Sequence, residues 1–150
     1  MAKATDIKKK IKELFDELVR AEILGEVHID DFKVGIFDRD YGHFPVAVIT
    51  TPSIEAAVET NRDNIRTYMF EVVIIQKGEN ITETTEIEDL AEEILKKIDD
   101  DMLTGTLSKL RAGGADAGIE PSTSTPEAVV SRGKTYVVFS VFIRAKALYP

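Results

Sequence analysis

A chain of 150 residues with 27 acidic and 19 basic side chains carries a formal charge of −8 and is long enough for one domain. A domain of that size buries roughly 70% of its unfolded surface without covalent staples. The acidic balance argues against tight binding to a phosphate backbone, which needs clustered Lys and Arg. With no cysteine there is no disulfide and no thiolate zinc site, so nothing marks the chain as secreted. Residues 1–20 alternate in charge, with no amino-terminal apolar run, and no segment approaches the ~20 apolar residues needed to span a bilayer. The expectation is a protein made in the cytoplasm, without a membrane partner.

The first periodic segment predicts a helix over 5–24. Ile7, Ile11, Leu14, Leu18 and Ala21 recur at helical spacing, and Phe15, Val19 and Ile23 widen the stripe. Thr5 or Asp6 caps its start, and Gly25 is read as its end. The lysine cluster Lys8, Lys9, Lys10 and Lys12 shares the helix with Glu13, Asp16 and Glu17, which reads as a solvated face with i,i+4 pairs.

A first strand is expected within 27–37, with Phe32, Val34 and Ile36 on one face. Residues 38–43 read as a polar hairpin turn with Gly42. Asp38, Asp40 and His43 there have the chemistry for a hard cation, but their spacing matches no standard metal loop, and the solvated turn is preferred. A short apolar strand over 44–50 is closed by Thr51-Pro52. Residues 53–64 read as an acidic loop, with 54–58 long enough for one helical turn.

The strand over 66–76 is the most informative stretch. Tyr68, Phe70, Val72 and Ile74 lie on one face, while Met69, Val73 and Ile75 lie on the other, so the strand is covered on both sides. After a turn at 78–80, Thr85-x-x-Glu88 forms a capping box that opens a helix from Glu86 to about Met102. Its buried stripe is Ile87, Leu90, Ala91, Ile94, Leu95, Ile98 and Met102, and Asp99, Asp100 and Asp101 read as a solvated end. Residues 104–133, rich in Gly, Ser, Thr and Pro, read mostly as a long flexible loop, with a strand through 117–122 or 128–131. Such a loop is expected to order on contact with a partner. The closing strand, 134–148, is again apolar on both faces, through Val137, Phe139, Val141 and Ile143 and through Val138 and Phe142. No repeat and no internal linker divides the chain, so a single domain is expected.

Catalytic motifs do not emerge. There is no G-x-S-x-G elbow, Gly113, Gly114 and Gly118 are not followed by Lys-Ser/Thr, and two histidines do not make a transition-metal set. No cofactor is expected, and the chain reads as a non-enzyme. The aromatic residues Tyr68, Phe70, Tyr136, Phe139 and Phe142 are not interleaved with Arg and Lys, which assigns them to core or subunit interface. Two helices have difficulty covering both faces of two such strands, and the surplus apolar surface points to a further copy of the chain.

The element order, α-β-β-β-α-β-β, resembles that of the tail-terminator and tail-completion proteins of long-tailed bacteriophages. The likeness rests on Asn61-Arg62, the R-x-Y-x-F-x-V-x-I strand from Arg66 to Ile74, the capped helix over 86–98, and the closing strand from Tyr136 to Arg144. It implies an α+β fold, a mainly antiparallel sheet of about four to five strands with two helices packed on it. It also implies a hexameric ring in the virion, at the neck, that caps the tail tube, stops its growth and joins tail to head. Its partners would be itself, the tail-tube protein and a head-completion or connector protein, with DNA a non-specific passenger through the lumen. The interface residues expected on this basis are Arg62, Arg66, Tyr68, Arg132, Tyr136, Phe142 and Arg144, the arginines because guanidinium forks suit carboxylates on a neighbouring acidic copy. The alternatives are another neck connector, a small dimeric ligand-binding regulatory α+β domain, or an enzyme with an unrecognised site; mass in solution separates a ring from a dimer.

Overall fold

The first helix, α1 (Ala4–Arg20), buries Ile7, Ile11, Leu14, Phe15 and Leu18 along one stripe, as the 3.6-residue period dictates. It ends earlier than 24, and not at Gly25. Glu22 takes a left-handed conformation (φ 62°), the amide of Ile23 donates to Leu18 O at 3.0 Å and that of Glu22 to Val19 O at 3.0 Å. That is a Schellman ending with glutamate where glycine is usual. Gly25 serves a different purpose, since its amide donates to Pro45 O at 2.7 Å and a Cβ there would stand 2.5 Å from the backbone of His43.

The structure, a computed structural model, describes residues 4–30, 36–37, 40–58, 64–80, 85–104 and 119–149. Among them the fold is α+β, with two helices and a seven-stranded mixed sheet that is largely antiparallel. The strands are β1 (Glu26–Ile29), β2 (Val46–Ile49), β3 (Ser53–Val58), β4 (Asn64–Lys77), β5 (Ile119–Thr123), β6 (Glu127–Ser131) and β7 (Lys134–Tyr149). The second helix, α2 (Thr85–Thr104), lies between β4 and β5 in the chain and buries Ile87, Ile94 and Ile98. Lys97 Nζ reaches Glu17 Oε2 at 2.9 Å and ties the two helices together.

β4 and β7 form a central antiparallel spine, Asn64 opposite Tyr149 and Lys77 opposite Tyr136. β2 and β3 lie end to end along the free side of β4, and β5 and β6 lie end to end along the free side of β7. β1 sits outside β2 and runs parallel to it. That pairing corrects the hairpin expected at 38–43: the connection from β1 to β2 crosses over, because both strands run the same way. Gly42 N and His43 N donate to Glu26 Oε2 at 3.0 and 3.3 Å, which holds the end of the connection against β1.

Three further expectations change. Residues 53–58 are a strand on the edge of β4 and not a loop or a helical turn. Both candidate segments within 104–133 are strands, and β6 joins β7 through a two-residue turn, Arg132 (φ 52°) and Gly133 (φ 75°). Positive φ at both positions is the type I′ hairpin geometry, whose twist matches that of the strands. The first strand is four residues long and ends at Ile29, and Ile36 and Phe37 stand in a turn. Residues 105–118, part of the expected loop, lie outside the described residues.

The helices cover one face of the sheet. Tyr68, Phe70, Val72 and Ile74 of β4, with Phe139, Val141, Ile143 and Ala145 of β7, meet α1 and α2 there. α1 packs over β1 and β2, and α2 over β5.

Candidate interaction surface

The opposite, helix-free face divides into three zones along the spine. At one end Val46, Val48, Val73 and Ile75 form a second small core, roofed by Ile36, Phe37, Tyr41 and Phe44 and flanked by Tyr136 and Val138. The rings form a chain: His28 to Tyr41 at 5.3 Å, Tyr41 edge-on to Phe44 at 6.0 Å, Phe44 stacked on Tyr136 at 6.2 Å, and Tyr136 to Phe37 at 5.9 Å. Lys77 Nζ stands 5.0 Å from the centre of the Phe44 ring. Offset and edge contacts of this kind add to area burial. A cleft of about 390 Å³ opens beside this zone, lined by Lys77, Glu79, Gly133, Lys134, Thr135 and Tyr136.

The middle zone is polar. Ser124 N donates to Ser140 O at 2.9 Å, and Ser140 N donates to Ser124 Oγ at 2.8 Å. Ser140 Oγ donates to Glu71 Oε2 at 2.6 Å, and Glu71 O accepts from both the amide and the hydroxyl of Thr50, at 3.1 and 2.7 Å. This transverse line crosses all four strand positions. It runs at the level where β2 gives way to β3 and β5 gives way to β6.

Beyond the line lie Met69 and Phe142, both half-buried, and Arg144, whose guanidinium is 3.9 Å from Glu120. Arg144 Nε is sealed from solvent with no hydrogen-bond partner among the described residues.

The sheet also stops short laterally. Among the described residues the exposed large hydrophobics are Ile29 (43%), Ile54 (56%) and Val130 (72%), and each lies on an edge strand, β1, β3 or β6. Ile29 pairs with Ile49, Ile54 with Tyr68 and Val130 with Thr135, which puts all three on the helix-bearing face. Among the described residues the helices leave these three side chains uncovered.

The expected interface residues do not form one patch. Tyr136, Phe142 and Arg144 share the helix-free face, whereas Tyr68 is 5% exposed in the chain's own core, a correction to its place in an interface. Arg66 is half-buried on the same side of the sheet as Tyr68, Arg132 is exposed at the β6–β7 turn, and Arg62 lies outside the described residues. The cause is the register: even positions of β4 stand opposite odd positions of β7, so even residues of the two strands face opposite ways. The edge residues Ile29, Ile54 and Val130 were not singled out from sequence; only the strand pairing identifies them as edge positions. No protein-family model matches the chain, and no curated protein does.

Proposed function

We propose that this chain is a structural virion component, a tail-terminator or tail-completion protein that closes into a ring, ends tail-tube growth and joins the tail to the head. The observation that carries the reading is the exposure of Ile29, Ile54 and Val130 on edge strands at both sides of the sheet, among the described residues. Unpaired, apolar edges are an aggregation hazard for a lone chain, and a head-to-tail contact repeated around an axis buries them without leaving a free end. The element order supports the same reading, a helix, short strands, a long apolar strand, a capped helix and a long closing strand. The net charge of −8 suits a lumen through which DNA slides without sticking. The partners proposed are further copies of itself in a hexameric ring, the tail-tube protein and a head-completion or connector protein.

Electron microscopy of tails assembled with and without the protein tests this. Overlong, headless tails in its absence are expected. Tails of normal length joined to heads in its absence refute the function.

A further inference from the structure

We infer that copies join through unlike surfaces, the β6–β7 turn of one chain, Arg132-Gly133-Lys134, seating in an acidic hollow on the outer side of α2 of the next. This rests on the ring reading and names the two surfaces that would build it.

The turn projects. β4 pairs with β7 as far as Lys77 opposite Tyr136, and the β6–β7 hairpin runs on past that pair. Arg132, Gly133, Lys134 and Thr135 are exposed, and a Cβ added at Gly133 would meet nothing within 4 Å. From Val130 to Tyr136 the chain holds two cations and no carboxylate. The type I′ geometry holds this convex, basic tip on a paired set of strands.

The hollow is its complement in shape and charge. Ile87, Ile94 and Ile98 of α2 are buried against the sheet, so the opposite side of the helix faces outward. There Glu92, Glu93, Leu95, Lys96, Asp99 and Asp100 line a depression of about 570 Å³, four carboxylates against one lysine. Leu95, half-buried, is its apolar patch, and Val130, 72% exposed beside the turn, is the matching apolar side chain.

The contact has to lie between chains. The hollow looks away from its own sheet, out of reach of a hairpin that continues that sheet's strands. Like surfaces are also disfavoured, since two turns bring cations together and two α2 helices bring carboxylates together. A turn in a hollow pairs opposite charges and uses a different surface on each partner. Such a heterologous contact passes from copy to copy, and it closes into a ring where its rotation divides a full circle.

Charge reversal in the full chain tests the pair. One variant carries Arg132→Glu and Lys134→Glu, a second carries Asp99→Lys and Asp100→Lys, and a third carries all four. All four sites are exposed, and lysines in the C-terminal half of α2 agree with its dipole, so native circular dichroism and melting are expected. Mass is measured by light scattering under assembly conditions, tail tube included. Each pair alone should weaken association about tenfold or more through like-charge contact, and the fourfold variant should recover it. Association unchanged in either pair overturns the contact and leaves the ring reading standing. Weakening by both pairs without recovery in the fourfold variant overturns the pairing of these two surfaces. A native chain that stays monomeric overturns both the contact and the ring. The chain has no cysteine, so Lys134→Cys with Lys96→Cys gives an independent measure that leaves every carboxylate in place. After oxidation a non-reducing gel should show a ladder beyond the dimer for the double variant and monomer for each single one. An oligomer of native mass without a ladder, or a dimer from Lys134→Cys alone, overturns the contact. Raising the ionic strength should weaken association of the native chain, and insensitivity to salt counts against it.

Discussion

Ser140 donates its hydroxyl to Glu71 across the spine at 2.6 Å, although neither is the other's register partner: Glu71 stands opposite Phe142, and Ser140 opposite Val73. The bond is therefore diagonal and runs across the helix-free face. It places a carboxylate in the middle of a strand that is apolar on either side, and it supplies the donor that carboxylate needs. Charged groups at half-buried positions are retained where such donors exist.

Ser140→Ala should accordingly destabilise the chain by about 1–2 kcal/mol, the worth of a hydrogen bond to a charged but partly solvated acceptor. The urea midpoint measures it. Ser124→Ala should cost less, because Ser124 N keeps its bond to Ser140 O. An unchanged midpoint in Ser140→Ala would mean that water replaces the hydroxyl at no cost.

The two phenylalanines of β7 separate stability from association. Phe139 is 2% exposed against the helices, and Phe139→Ala should cost about 3–5 kcal/mol. Phe142 is half-buried on the helix-free face, so Phe142→Ala should cost the monomer distinctly less, about 1–2 kcal/mol. Under the proposed assembly it should reduce oligomer formation more than it reduces monomer stability. Denaturation and light scattering on the same samples decide between the two effects.

At the end of α1 the substitutions Glu22→Gly and Gly25→Ala should act in opposite directions. Glu22 has φ 62°, a conformation glycine adopts freely, so Glu22→Gly should stabilise by roughly 0.5–1 kcal/mol. Gly25→Ala drives a methyl to within 2.5 Å of His43 backbone atoms, which forces the backbone apart and should cost at least about 2 kcal/mol. Thermal melts of both variants give the sign.

The turn at Arg132-Gly133 gives a fourth test. Gly133 has φ 75° and open space around it, so Gly133→Val fails on backbone conformation and not on crowding. A loss of about 1–2 kcal/mol is expected, since a β-branched side chain is strained there. Arg132→Asn should be neutral or slightly stabilising, because Asn accepts the left-handed region. Amide exchange on β6 should speed up in Gly133→Val and not in Arg132→Asn.

Where the sequence carried a long period, it was informative. The stripe from Ile7 to Leu18, the capped helix around Ile87 and Ile98, and the two-faced strands around Phe70 and Phe139 all form the elements expected. The short edge strands were harder to read, for separate reasons. Ile54 and Val58 sit four apart and imitate a helical turn, while the strand they belong to exists because β4 is long enough to template it. The sequence reads a strand through 117–122 only as an alternative to one through 128–131, since Pro121 and the neighbouring Ser and Thr favour loop. Yet an edge strand tolerates proline, and both strands are present. For β6 a local signal was present in Arg132-Gly133, a two-residue connection between β-branched segments. The division of Tyr68 from Phe142 was not legible at all, since no single strand reveals the parity of its pairing with another.

The transverse line from Thr50 to Ser124 has a bearing on how the chain tolerates change. Each long strand is flanked by two short ones, interrupted at the same level on either margin. β3 takes its register from residues 64–69 of β4 and β2 from residues 72–75, so the two are set separately. An extra residue at 50–52 or 124–126 would be absorbed at the gap, leaving the strands beyond it in their own registers. Insertions within β4 or β7 would have no such refuge, and would turn every side chain downstream to the wrong face. The sheet is thus permissive along one line and unforgiving along its length.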